Sequence, residues 1–192
     1  MGMLLILCIL GVIQGNIVYR VSKYIINRDN EKIREFKVNK LYIEIAMVIT
    51  TIAIFIKFNI SGILVYSAIG TLLVLIAIVD YHTMYVYFYT AIIGIIYAFV
   101  IAIGSRDLRE IKFIIILVVI LLVAAKVTGE WYGDVEVIFI IFLTLGVVGG
   151  MITMSVTGIL GIFVAIKKRT VYIVIPYCPL LVIGYYFTLI FL

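Results

Sequence analysis

Six ionisable side chains sit within or at the edges of long apolar runs: Glu44, Asp80, Lys126, Glu130, Asp134 and Glu136. Charge at membrane depth is costly and marks function by default, so each needs a chemical reading. Glu44 follows Lys40 by four residues and Glu130 follows Lys126 by four, a helical spacing at which opposite charges pair on one face. Both are read as ion pairs. Asp80 closes the run Leu72 to Val79, whereas Asp134 opens the run that follows Gly133, so each carboxylate is expected where an apolar helix meets water. Two carboxylates brought together share one proton, because like charges at short range disfavour double ionisation. The ionised member then takes a proton from water while the protonated member polarises a peptide carbonyl, which is general acid-base hydrolysis without a covalent intermediate. A helix start favours an anion and a helix end a proton, an assignment that makes Asp134 the base and Asp80 the acid. The same pair also suits cation binding or the anchoring of loops.

Other side chains near these two read more plainly. His82 is the only histidine and is expected as a solvated group at the interface, with a part in tuning the carboxylates as the other reading. Tyr81, Tyr85, Tyr87, Phe88 and Tyr89, like Trp131 and Tyr132, fit an aromatic belt. Gly133 keeps side-chain bulk away from a substrate backbone. Cys8 and Cys178 lie in separate apolar runs and read as small buried hydrophobes, with neither a disulfide framework nor a Cys-pair metal site.

The elements that must carry these residues follow from composition. The 192 residues are 66% hydrophobic and only 13% charged, against about 25% charged in soluble domains, and the mean hydropathy is +1.34. A water-soluble domain is excluded. A crossing takes about 20 apolar residues, and the pattern predicts an all-α polytopic bundle of eight spans, at about 1–18, 41–56, 60–80, 84–103, 112–126, 135–149, 151–166 and 171–192. The whole chain, 1–192, then forms one membrane-embedded domain with a basic loop at about 20–40. The first span lacks a basic leader and a small-residue cleavage site and is expected to be retained. Gly146 to Gly150 and Gly158 to Gly161 carry small-residue spacings that suggest close helix packing, and Gly149-Gly150 is the expected break between the sixth and seventh spans, or a kink within one span, which would make the count seven.

Lys and Arg set the orientation. With the N-terminus outside, the inner loops hold Arg20, Lys23, Arg28, Lys32, Arg34, Lys37 and Lys40 together with Lys167, Lys168 and Arg169, and the outer loops hold only Lys57, Arg106, Arg109 and Lys112. That excess favours the N-terminus outside and puts Asp80 and Asp134 on one, cytoplasmic side. The net charge of +5 is thereby assigned to loops facing the cytoplasm, and no nucleic-acid partner is expected.

Four motifs in order then carry a family resemblance. Asp80-Tyr81-His82-Thr83 resembles the first active-site motif of type IV prepilin peptidases, and Gly133-Asp134-Val135-Glu136 resembles their second, the Gly-x-Gly-Asp motif of intramembrane aspartyl proteases. Gly15-Asn16-Ile17-Val18-Tyr19-Arg20 is similar to the end of the family's first span, and Ile175-Pro176-Tyr177-Cys178-Pro179 to its last-span Ile-Pro-x-x-Pro element. Trp131 replaces the first glycine of the second motif, Glu136 stands where a Lys is usual, and Val86-Tyr87 lack the usual Pro. The 20–40 segment has no Cys, so the resemblance is to a short form without the Cys-x-x-Cys zinc loop.

The resemblance implies an aspartic endopeptidase of the bacterial cytoplasmic membrane that cuts the basic leader from prepilins or pseudopilins, with Asp80 and Asp134 catalytic. Gly133, Glu130 and Glu136 would contact the substrate, the two glutamates attracting the basic leader. No metal and no cofactor are expected, apart from S-adenosylmethionine if the family's N-methylation is retained. The bilayer and the prepilin are the expected partners, and a homo-oligomer stays open. The competing reading is a small ion-coupled membrane transporter that uses the same carboxylates.

Overall fold

The computed structural model describes residues 2–29, 33–128, 132–168 and 176–191, and no side chain is described at 59–61, 128, 132 or 168. Every regular element among these residues is helical: α1 (Gly2–Arg28), α2 (Lys40–Thr83), α3 (Phe88–Ser105), α4 (Leu108–Thr128), α5 (Tyr132–Lys168) and α6 (Tyr177–Phe191). Among the described residues, five stretches are long and apolar enough to cross a membrane: Gly2–Arg28, Lys40–Phe58, Gly62–Thr83, Phe88–Ser105 and Gly133–Lys167. The chain divides into two compact units, Met1–Tyr85 and Val86–Leu192.

In the first unit, the buried residues of α1 (Leu7, Gly11, Gly15, Val18, Ser22 and Ile26) recur every three or four positions and form one face. Two glycines on that face let α2 approach closely, since a Cβ on Gly11 would stand 2.5 Å from Val48 Cα and one on Gly15 2.6 Å from Glu44 Cα. The numbering rises on one helix as it falls on the other, so they run antiparallel. Gln14 then reaches both arms of α2, accepting from Thr51 Oγ1 at 3.0 Å and donating to Ser67 Oγ at 3.1 Å. In a straight helix these two residues would lie about 24 Å apart. The chain therefore reverses between the arms Lys40–Phe58 and Gly62–Thr83, where Phe58 stacks on Tyr66 with centroids 4.2 Å apart.

The second unit repeats the device with a better-defined hinge. Gly146 holds φ 80° and ψ −178° inside α5, a conformation that only glycine adopts without strain. Cys178 touches Asp134 at 3.2 Å, and two residues on, the Leu180 carbonyl accepts from Thr157 Oγ1 at 3.4 Å. Along a straight α5, Asp134 and Thr157 would be about 34 Å apart, so the helix folds back at Gly146 and α6 packs antiparallel to its second half. Arg106 and Glu110, at the turn between α3 and α4, close the hinge. Arg106 donates to the carbonyls of Leu143 (3.2 Å) and Thr144 (2.7 Å), Glu110 accepts from the Val147 N–H (2.9 Å), and the two side chains pair at 3.4 Å. A cation thus caps the end of one half-helix and an anion the start of the next, the signs that the helix dipole requires.

Several expectations need correction. The basic segment does not begin as a loop: α1 runs to Arg28, because Ser22 and Ile26 continue its buried stripe and neither Gly nor Pro interrupts it. The α5 break lies at Gly146 rather than Gly149-Gly150, since of these three glycines only Gly146 takes a positive φ. Close packing at Gly158 and Gly161 is not found: a Cβ on Gly158 would meet nothing within 4 Å, and one on Gly161 only Leu180 at 3.9 Å. The Lys40–Glu44 pair forms, at 3.2 Å.

Breaking the hinge has an expected signature in denaturant unfolding of the detergent-solubilised protein. Arg106→Gln leaves two carbonyls short of donors and should cost about 1–3 kcal/mol, whereas Glu110→Gln keeps an acceptor for Val147 and should cost less. An Arg106→Gln change within about 0.5 kcal/mol of wild type, as at an ordinary surface site, would contradict this role.

Candidate functional site

Asp80 lies in the last turn of α2, within the first unit, and is 5% exposed. Its carbonyl accepts from the N–H of Met84, the C-cap residue, which adopts the left-handed conformation at φ 60°. The next two carbonyls, which a helix end would otherwise leave open, are taken by the segment before α2. Arg34 Nη1 donates to Tyr81 O at 2.8 Å, and the N–H groups of Ile33 and Arg34 donate to His82 O at 3.0 and 3.1 Å. The Arg34 guanidinium also lies 4.3 Å from the centre of the Tyr81 ring. The Asp80 end of α2 is thus locked to the segment 33–36, at the end of the unit where α1 carries Tyr19.

That docking overturns the reading of His82 as a solvated group. It is 3% exposed, its Nδ1 lies 2.7 Å from Ile78 O, and Phe36 packs on its ring and on that of Tyr19 at 5.5 and 5.4 Å. Burial follows because Phe36, drawn in with the Arg34 contacts, covers the ring. Tyr81, Tyr85, Phe88 and Tyr89 remain exposed, as an aromatic belt requires.

Asp134 lies in the first turn of α5, within the second unit, with a cysteine beside it. Cys178, buried in the first turn of α6, donates its thiol to Asp134 Oδ1 at 3.2 Å. Cys178 is buried, as expected, and adds a hydrogen bond to a carboxylate, whereas Cys8 is exposed rather than buried. Gly133 is needed for close approach, because a Cβ there would stand 2.7 Å from Val86 Cβ. Glu136 is half-buried, and two residues along a helix place it about 200° around the axis from Asp134. Glu130 and Trp131 lie outside the described residues.

The catalytic candidates thus fall one in each unit, Asp80 at a helix end whose carbonyls are taken by the 33–34 segment and Asp134 at a helix start where its own side chain meets the Cys178 thiol. Among the described residues no group of three or more His, Cys, Asp or Glu could hold a metal ion. No protein-family model matches the chain, and no curated protein or solved structure does.

Arg34 offers a direct test of the lock on α2. Arg34→Ala removes a cation and a donor from a helix C-terminus, an effect of about 0.3–1 kcal/mol. Amide hydrogen exchange at residues 82–84 should quicken about two- to fivefold while exchange in the first arm of α2 stays unchanged. Equal quickening in both arms, or none at residues 82–84, would contradict the lock.

Proposed function

We propose that the protein is a membrane-embedded aspartic endopeptidase that removes the basic leader of type IV prepilins or pseudopilins. The observation that carries this reading is the placement of two aspartates, Asp80 and Asp134, in the end turns of apolar helices, each within a motif that resembles the prepilin peptidase pattern. The mechanism requires one carboxylate from each unit at the same peptide bond. Asp134, at a helix start, acts as the base that takes a proton from water. Asp80, at a helix end, carries the proton that polarises the scissile carbonyl. Collapse of the tetrahedral intermediate breaks the C–N bond, and the departing amine takes a proton from the pair.

The substrate's apolar helix sits among the spans, and its basic leader stays in the cytoplasm. Gly133 admits Val86 against the first turn of α5, while Glu136 and Glu130 draw the leader. In this reading the chain crosses the bacterial cytoplasmic membrane eight times with its N-terminus outside. The reversals between the arms of α2 and at Gly146 in α5 supply the turns that such a path needs, and the excess of Lys and Arg at 20–40 and 167–169 supplies the orientation. Asp80 stands at the end of its unit that holds the 33–36 segment, which agrees with a cytoplasmic site. No cofactor enters the reaction, and N-methylation by S-adenosylmethionine is not part of the proposal.

Co-expression with a prepilin tests this. Wild type should shorten the substrate by its leader, and Asp80→Asn or Asp134→Asn should reduce cleavage by about a thousandfold or more, the scale on which loss of a general acid or base is felt. Cleavage that survives both substitutions would sink the aspartyl mechanism. Flux of protons or cations through vesicles without any cleavage would favour the transporter reading.

A further inference from the structure

The last two turns of α1 carry a feature that peptide hydrolysis does not use. Tyr19, Arg20, Lys23, Tyr24, Asn27 and Arg28 line a shallow concavity of about 660 Å³. Their spacing of three and four residues puts them on one helical stripe, and that stripe has no carboxylate. Among the described residues neither Arg20, Lys23 nor Arg28 forms an ion pair, whereas Lys37, Lys40 and Arg106 each pair with a glutamate. Two of the three cations are held by aromatic rings instead. Lys23 lies 5.8 Å from the Tyr19 centroid, and Arg28 lies 5.9 Å from that of Tyr24, whose hydroxyl it also meets at 2.7 Å. Those contacts orient the cations without neutralising them.

The stripe continues toward the N-terminus in apolar residues. Ile13, Ile17 and Val21 are exposed, and they lead at helical spacing into the basic groove. A helix of 27 residues is about 40 Å long, and the hydrocarbon core is about 30 Å thick. A turn or two of α1 must therefore stand among headgroups, and the basic, tyrosine-bearing end has the chemistry for that layer. A soluble anion would use the cations alone. A ligand with an anionic head and apolar tails uses the entire stripe.

We propose that this groove binds an anionic phospholipid, its phosphate seated by Arg20, Lys23 and Arg28 and its acyl chains lying along Ile13, Ile17 and Val21. The site is independent of the peptidase reading and of both aspartates. It would select phosphatidylglycerol over phosphatidylcholine, because the zwitterionic head brings a cation of its own against three that are already present. A basic leader peptide would be repelled, so the groove is not a substrate site.

Native mass spectrometry of the full chain, released from micelles doped with either lipid, provides the test. Wild type should bind phosphatidylglycerol more tightly than phosphatidylcholine. Each charge removed should reduce that preference about fivefold, so Lys23→Gln should show one such step and the triple variant Arg20→Gln, Lys23→Gln, Arg28→Gln should lose nearly all of it. The double variant Arg109→Gln, Lys112→Gln removes exposed cations elsewhere and should bind like wild type, and millimolar inorganic phosphate should not displace the lipid. A preference unchanged in Lys23→Gln and in the triple variant would overturn the proposal. So would an equal loss in the Arg109, Lys112 control, or displacement by inorganic phosphate.

Discussion

The architecture of the second unit depends on how a broken helix satisfies its backbone. Where α5 folds back at Gly146, the carbonyls of Leu143 and Thr144 and the N–H of Val147 lose their partners along the helix. Arg106 and Glu110 supply replacements from one turn between α3 and α4. The groups orphaned at a helix break need other partners, and here two side chains of a single turn provide them for both half-helices. The Arg106–Glu110 pair is three interactions at once: a C-cap, an N-cap and an ion pair that keeps both charged groups compensated. From that hinge the half-helix bearing Asp134 runs to the other end of the unit, where Cys178 and Val86 flank its first turn.

The first unit follows the same physics with different chemistry. Gln14 uses both ends of its side-chain amide to join the arms of α2, and Arg34 with the 33–34 backbone closes the carbonyls at the Asp80 end. Asp80 therefore rides on a helix end held by another element, whereas Asp134 is held through its own side chain by Cys178; both devices orient a carboxylate, as acid-base chemistry at a peptide bond requires. The exposed basic stripe of α1 is different in kind, since its cations are steadied by tyrosine rings and left open to an anion.

Much of this was legible in the sequence, and the reasons are local. The helical character and the apolar stretches follow from composition, and the interruption at Lys57-Phe58-Asn59 does mark the reversal between the arms of α2. Asp80 and Asp134 were legible as helix-end carboxylates because an acidic residue beside an apolar run stands out. The position of the α5 hinge was not, because four glycines between Gly133 and Gly150 compete for the role and only Gly146 has Arg106 and Glu110 beside it, contacts made across about forty residues. Burial of His82 was equally hidden, since it depends on Phe36, a residue with no special pattern in a segment otherwise rich in charge. The Cys178 contact arises from the packing of α6 on α5 and has no signature in spacing alone.

The central claim is that Asp80 and Asp134 together hydrolyse a peptide bond. Purified protein in lipid vesicles, supplied with a synthetic peptide in which a short basic leader and a glycine precede an apolar helix, tests it most directly by mass spectrometry of the products in ordinary and in ¹⁸O-labelled water. The account expects one cut after the glycine, one labelled oxygen in the leader's new carboxylate, no covalent adduct on the protein, and no products from Asp80→Asn or Asp134→Asn. An intact peptide with folded wild-type protein, or a trapped acyl-enzyme, would contradict it.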